Sequence, residues 1–244
     1  MNLHKLYATE NECYKTATKI TPVGIMVHST GANNPYLKRY VGPNDGLLGI
    51  NKNNNHFNNF RPDGRQICPA ACIGKLENGD IATYQILPWD YQSWHSGSGS
   101  LLTARKNGFS YNNANRLGYI GFEICEDDLT DKTYCKKIFK EAAELCAYLC
   151  KMYGLNPETD IISHKEGNTL GIASGHVDPE HWWSKHGYTM NMFRKYVKQL
   201  MASEINKSNT KIYRIQVGAF ANEANAKEFL KTVKKTFPNA YITS

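Results

Sequence analysis

Three histidines and an aspartate crowd into the stretch from Ile161 to Trp183: His164, His176, His181 and Asp178. Gly167, Gly171, Gly175 and Pro179 punctuate it, so this segment is not one regular helix or strand. Imidazole nitrogens and carboxylate oxygens are donors that zinc takes in a tetrahedron, and a catalytic zinc keeps three protein ligands and one open position. The same residue types also suit a polar surface loop, and this stretch alone does not separate the two. Two residues far away in sequence add to it. His28 closes the apolar run Val23-Gly24-Ile25-Met26-Val27, and Glu123 sits among apolar neighbours in Tyr119-Ile120-Gly121-Phe122-Glu123-Ile124-Cys125. A carboxylate in such company either faces solvent or is held in a site that raises its proton affinity.

These residues need elements to position them. The run ending at His28 is short and β-branched, as a buried strand is, and the turn-rich Ser29 to Pro35 follows it. Residues 31 to 65, rich in Asn, Gly and Pro, read as a long surface loop with short ordered pieces. Strand-like runs at 71–76 and 81–87 flank Glu77-Asn78-Gly79-Asp80, a hairpin signal. An aromatic loop with Trp94 and His95 leaves that hairpin, and residues 119–125 form the next strand. From about Thr130 to Tyr153 the apolar residues Ile138, Phe139, Ala142, Leu145, Cys146, Leu149 and Met152 recur at helical spacing. Thr130 or Asp131 caps the start of this helix and Gly154 its end. A short strand over 160–163 delivers His164. A second helix, capped by Thr189, covers about 190–202 with Phe193, Val197, Leu200 and Met201 inward. The predicted fold is α/β, a mixed central sheet flanked by helices.

Beyond this, residues 202–211 are polar and without core periodicity, as a linker is. Residues 212–244 then offer an alternating strand at 212–220, a helical pattern over 222–237 stopped by Pro238, and the start of another strand at 240–242. The expected division is 1–201, a linker over 202–211, and a short βαβ-like segment over 212–244, which is too small to bury a core by itself.

Composition excludes several classes. The 244 residues are 41% hydrophobic with a mean hydropathy of −0.53. No stretch approaches the roughly 20 apolar residues of a membrane span. Met1 to Glu10 has no apolar core of a secretory leader, so the expectation is a chain made in the cytoplasm that reaches its place of action by some other route. The net charge of +7 favours polyanions in general, but no dense basic block or basic-aromatic weave points to nucleic acid. Seven cysteines, with no Cys-x-x-Cys pair, read as buried free thiols rather than a metal cluster.

Taken in order, Gly24-Ile25-Met26-Val27-His28-Ser29-Thr30, the hairpin Lys75 to Ile81, Ser93-Trp94-His95-Ser96-Gly97, Tyr119 to Glu123, Ser163-His164 and Val177-Asp178-Pro179 resemble the zinc-dependent N-acetylmuramoyl-L-alanine amidases of the type-2 family, whose fold peptidoglycan recognition proteins share. The likeness covers about residues 20 to 185. It implies one Zn2+ per chain held by His28, His164 and Asp178, with Glu123 acting as acid/base on the attacking water. Where the family commonly carries a Lys two residues before the acidic ligand, this chain has His176. Either His176 replaces that Lys as oxyanion stabiliser, or His176 is the third ligand and Asp178 orients it. The likeness also places His95 and Trp94 on the substrate side. The tail at 213–220 with its Ala-rich helix resembles part of a SPOR repeat, a module that binds glycan strands lacking stem peptides. The implied function is hydrolysis of the amide between N-acetylmuramic acid and L-alanine in peptidoglycan, by an endolysin or autolysin that meets the cell wall after release. The competing expectation is a non-catalytic peptidoglycan-binding protein of the same fold. Oligomeric state is not implied either way.

Overall fold

The computed structural model describes residues 1–59, 67–100, 102–105, 108–208, 218–237 and 240–242. They divide into two units, Met1–Ile205 and Asn206–Ser244.

The first unit is built on a six-stranded sheet. Its strands are β1 (Leu3–Lys5), β2 (Gly24–Ser29), β3 (Ala71–Lys75), β4 (Ile81–Gln85), β7 (Tyr119–Ile124) and β8 (Ile161–Ser163), in the order β1-β4-β3-β7-β2-β8. Among the described residues of this sheet the β3–β4 hairpin is antiparallel and the other four pairings are parallel. A separate two-stranded ribbon joins β5 (Leu102–Arg105) and β6 (Gly108–Tyr111). The mixed sheet, the hairpin at Asn78-Gly79 and the strands at 24–29, 71–75, 81–85, 119–124 and 161–163 match the expectations. The edge strand β1 and the ribbon do not appear among them, since three or four residues carry too little periodicity to be seen.

Side-chain alternation decides which face holds chemistry. Ile25 and Val27 of β2, Ile73 of β3, and Ile120, Phe122 and Ile124 of β7 turn to one face. There α3 (Lys132–Tyr153) covers them with Ile138, Phe139, Ala142, Leu145, Cys146 and Leu149. Burying each such large side chain contributes about 1.5–3 kcal/mol. Met26, Gly121 and Glu123 therefore point the other way, and so does His28. The parallel register pairs His28 with Glu123, which sets the two side by side on the face away from α3. That face is closed by Ile162, Ile172 and Ala173 around Met26, and by Leu37, Tyr40, Val41 and Leu48 around Cys72, Tyr84 and Cys125. The Asn-rich segment is thus partly core and not only a surface loop; within it residues 60–66 lie outside the described residues. All seven cysteines are buried and none forms a disulfide.

The helix ends follow their capping chemistry. Asp131 is the N-cap of α3 and accepts from the Thr133 and Tyr134 amides, while Gly154 ends it at φ 68°. The helix α6 (Met190–Ser208) starts where Thr189 accepts from the Met192 amide, but it runs six residues beyond 202. The first part of the expected linker, 202–208, is therefore helical, because nothing in Ala-Ser-Glu-Ile-Asn-Lys-Ser breaks a helix.

In the second unit α7 (Glu223–Thr236) is capped by Asn222, which accepts from the Ala224 and Asn225 amides, and Phe220 packs on Phe229 with ring centroids 5.3 Å apart. The strand expected at 212–220 lies mostly outside the described residues, and residues 240–242 do not form one. Among the described residues no helix is long and apolar enough to cross a membrane.

Asp131→Ala leaves two amides of α3 without an acceptor. It is expected to cost about 1 kcal/mol, lowering Tm in a calorimetric scan by about 2–4 °C. An unchanged Tm would mean that another group takes over the cap.

Candidate metal centre and active site

The site grows out of the carboxyl ends of three adjacent parallel strands. His28 lies near the end of β2, Glu123 near the end of β7, and His164 directly follows β8. His164 also opens a short helix, α4 (His164–Thr169), with a full capping box: Ser163 accepts from the Glu166 amide and Glu166 accepts from the Ser163 amide. Arg194 of α6 then grips Glu166 with two parallel bonds of 2.9 Å. This combination fixes the direction in which the His164 ring projects. The chain continues through a loop, reaches Asp178, and enters α5 (Glu180–Trp183).

Three donors converge. His28 Nδ1 and His164 Nδ1 are 2.9 Å apart, and the Asp178 carboxylate lies 3.3 Å from the first and 3.4 Å from the second. All three residues are buried, and together they form a group able to hold a metal ion. Tetrahedral ligands at about 2.0–2.1 Å from zinc stand about 3.3 Å from one another, so these separations fit such an ion. His176 is different. Its ring stacks on His164 at 4.7 Å and 3°, its Nδ1 is 3.7 Å from Asp178, and its side chain is 63% exposed. It stands at the rim of the cluster.

Glu123 is half-buried as a residue, but its Oε2 is sealed from solvent and has no hydrogen-bond partner among the described residues. Burial first, and then the negative charges of Asp178 and Glu126, push its carboxyl well above the usual carboxylate range. Asp178 behaves oppositely. Burial would raise it, but the His164 and His28 rings beside it outweigh that and hold it below the usual range. Burial lowers the proton affinity of the His28 ring, with Asp178 opposing, and lowers that of His95 further, helped by the nearby His28.

Comparison with known proteins fits this geometry. Residues 18–181, two thirds of the chain, match the family model described as N-acetylmuramoyl-L-alanine amidase. The chain belongs to that family. It is a peptidoglycan hydrolase of the amidase type. Residues 196–244 match the SPOR domain. Among solved structures, the chain is similar in fold to the hydrolase AmiA of Staphylococcus aureus in complex with its ligand (18% identity, 84% of this chain and 85% of that one, TM-score 0.53). It is likewise similar to PlyL (16% identity, 81% and 96%, TM-score 0.50) and to the PlyG catalytic domain (18% identity, 87% and 100%, TM-score 0.51). No curated protein sequence matches the chain.

The amidase brings His28, His164, Asp178, Glu123, His176 and His95 into one neighbourhood. Trp94 is 51% exposed beside the buried Ser93 and His95. His95 does not face an open groove. Its Nδ1 is 2.7 Å from His28 Nε2, and its Nε2 is 3.2 Å from the Tyr119 carbonyl oxygen. Both nitrogens are engaged within the chain.

Several supporting residues carry no motif of their own. Asn115 accepts from the His95 and Ser96 amides and pins that loop. Ser174 lies 3.3 Å from His164 Nε2. Glu126 is buried, accepts from the Ser29 hydroxyl and faces His181 Nε2 at 3.2 Å, while the Ser29 amide donates to Asp178. Ser163-x-x-Glu166 has the pattern of a capping box, and that pattern marks α4 rather than chemistry.

The raised Glu123 carboxyl has a consequence for the metal-free protein. The unfolded chain releases this proton near pH 4.3, while the native state holds it to higher pH. Rising pH therefore favours the unfolded state until the native group also ionises. In chelator-treated protein, Glu123→Gln is expected to raise Tm near pH 8 and to leave it unchanged near pH 4. Parallel Tm–pH curves for the two proteins would show that Glu123 ionises normally in the fold.

Proposed function

We propose that the chain cleaves the amide between N-acetylmuramic acid and L-alanine with the help of one zinc ion held by His28, His164 and Asp178. The observation that carries the reading is the convergence of two imidazole nitrogens and one carboxylate within 4.8 Å of one another in a buried site, in a chain of the amidase family. When bound, zinc supplies Lewis acidity: it makes water a nucleophile near neutral pH and polarises a carbonyl.

The chain's own residues supply the rest. Glu123 stands in register with His28 and offers a carboxyl of raised proton affinity, suited to accept the attacking water's proton and return it to the leaving amine. His176, held at the rim by its stack on His164, is placed to meet negative charge developing on the scissile carbonyl oxygen. Its exposure and its distance from the convergent donors support Asp178, rather than His176, as the third ligand. Trp94 offers an exposed apolar face for the glycan or the peptide beside the reacting bond.

The same reading extends to the whole chain. Residues 1–201 form the catalytic part, and the C-terminal segment from about 212, within the SPOR match, holds the enzyme on glycan strands of the cell wall, where it acts.

Glu123→Gln is expected to keep stoichiometric zinc and to lose at least about 100-fold in the release of amine termini from purified sacculi. Wild-type turnover by that variant would remove Glu123 from the reaction. Asp178→Ala is expected to lower bound zinc, measured by elemental analysis after dialysis, far more than His176→Ala does. The opposite ranking would make His176 the ligand.

A further inference from the structure

A ligand histidine has two nitrogens, and only the one without a proton can bind a cation. In this chain the choice at His28 is made some distance from the cluster. The Tyr119 carbonyl can only accept, so the His95 nitrogen 3.2 Å from it, Nε2, is the one that carries a proton. No carboxylate lies against either His95 nitrogen among the described hydrogen bonds and ion pairs, and with one proton on the ring Nδ1 is left as an acceptor. That acceptor is 2.7 Å from His28 Nε2, which must then donate. His28 Nδ1 is left with its lone pair, and Nδ1 is the atom facing His164 Nδ1 and Asp178.

The backbone around this relay is built for it. Gly121 lies under the His95 ring: a methyl group there would come within 2.1 Å of His95 Cγ. Asn115 fixes the His95 and Ser96 amides. The ring thus lies against β7 at Gly121 while Asn115 holds the backbone amide of the same residue, and it makes a T-shaped contact with His28 at 4.8 Å. On the other side of the cluster the Ser174 hydroxyl stands 3.3 Å from both the Ser96 carbonyl and His164 Nε2, a looser arrangement with the same polarity.

We propose that His95 is a positioning residue which, anchored on the Tyr119 carbonyl, fixes the His28 ring as the Nε2–H tautomer and so presents His28 Nδ1 to the metal. This rests on the zinc site proposed above. It replaces contact with substrate as the role of His95, and it explains why a histidine in the Trp94-His95-Ser96-Gly97 loop is buried while Trp94 is exposed.

The test uses the full chain, with zinc affinity measured by chelator competition and imidazole 15N shifts recorded on metal-free protein. Wild type should show His28 protonated on Nε2. His95→Phe keeps a flat ring but no acceptor, and should weaken zinc about 10–100-fold and mix the His28 tautomers. His95→Gln, whose side-chain oxygen can accept from His28 Nε2, should recover most of the affinity. A wild-type His28 protonated on Nδ1, even if the Phe variant fails to fold, overturns the proposal. So does a folded His95→Phe with unchanged affinity and tautomer. His28→Ala separates the two layers: if it abolishes zinc binding while His95→Phe does not, only the relay falls, and if it too keeps zinc, the metal site itself is wrong.

Discussion

Three electron-pair donors aimed at one another form the constraint around which this protein is arranged. Two imidazole nitrogens at 2.9 Å and a carboxylate at 3.3–3.4 Å do not attract unless a proton or a cation lies among them. Holding them there takes rigid support, and the sheet supplies it. Parallel pairing of β2 with both β7 and β8 brings His28, Glu123 and His164 to the same end of neighbouring strands. Open α/β sheets bind ligands at the carboxyl ends of their strands, and the same geometry operates here. The large apolar face against α3 keeps the register from slipping, because a one-residue shift would turn His28 toward Ile138 and Leu145 and put Val27 in the site.

Asp178 comes from a loop, so its placement needs a different kind of support. Polar ties fasten the segment 164–180 at intervals. Arg194 holds Glu166 and the Ile161 carbonyl, Asn168 donates to the Ala173 carbonyl, and the Ala114 amide donates to Ile172. Ser163 and Lys165 both reach Glu180. Each bond contributes on the order of 1 kcal/mol, and together they leave the loop few alternatives. The Ser29 amide then receives Asp178 directly, and Glu126 holds the Ser29 hydroxyl from behind. The path from His181 through Glu126 and Ser29 to Asp178 gives that histidine, 28% exposed at its side chain, a supporting place.

Much of this was legible in the residues. The strands ending in His28 and His164, the hairpin at Asn78-Gly79 and the long helix with Asp131 and Gly154 at its ends all follow from local pattern and capping chemistry. Local pattern does not reveal partners at long range. His95 reads as a loop histidine from its neighbours. Its burial depends on Gly121, 26 positions away, having no side chain, and on Asn115 reaching its amide. Ser174 and Glu126 are ordinary polar residues until the fold sets them beside His164 and Ser29. The Asn-rich stretch misled in the same way, because Leu37, Val41 and Leu48 lie too far apart to show a period yet share one core. Helix α6 overran its expected end because a polar, uncapped sequence marks no boundary.

The acidity of the site links its stability to its chemistry. Glu123, Glu126 and Asp178 put three carboxyls close together, and burial, with the charges of Asp178 and Glu126 added to it, raises the proton affinity of Glu123. The same negative potential attracts a divalent cation. A cation seated among His28, His164 and Asp178 would offset the charge of Asp178 and draw the Glu123 carboxyl back toward the range where it can exchange a proton near neutral pH. In the proposed site Glu123 would serve as a base more readily with the ion bound than without it. A carboxyl tuned by its neighbours in this way would make the proposed chemistry depend on the ion without any moving part. It would also give a use to the sealed Glu123 Oε2, which has no hydrogen-bond partner among the described residues.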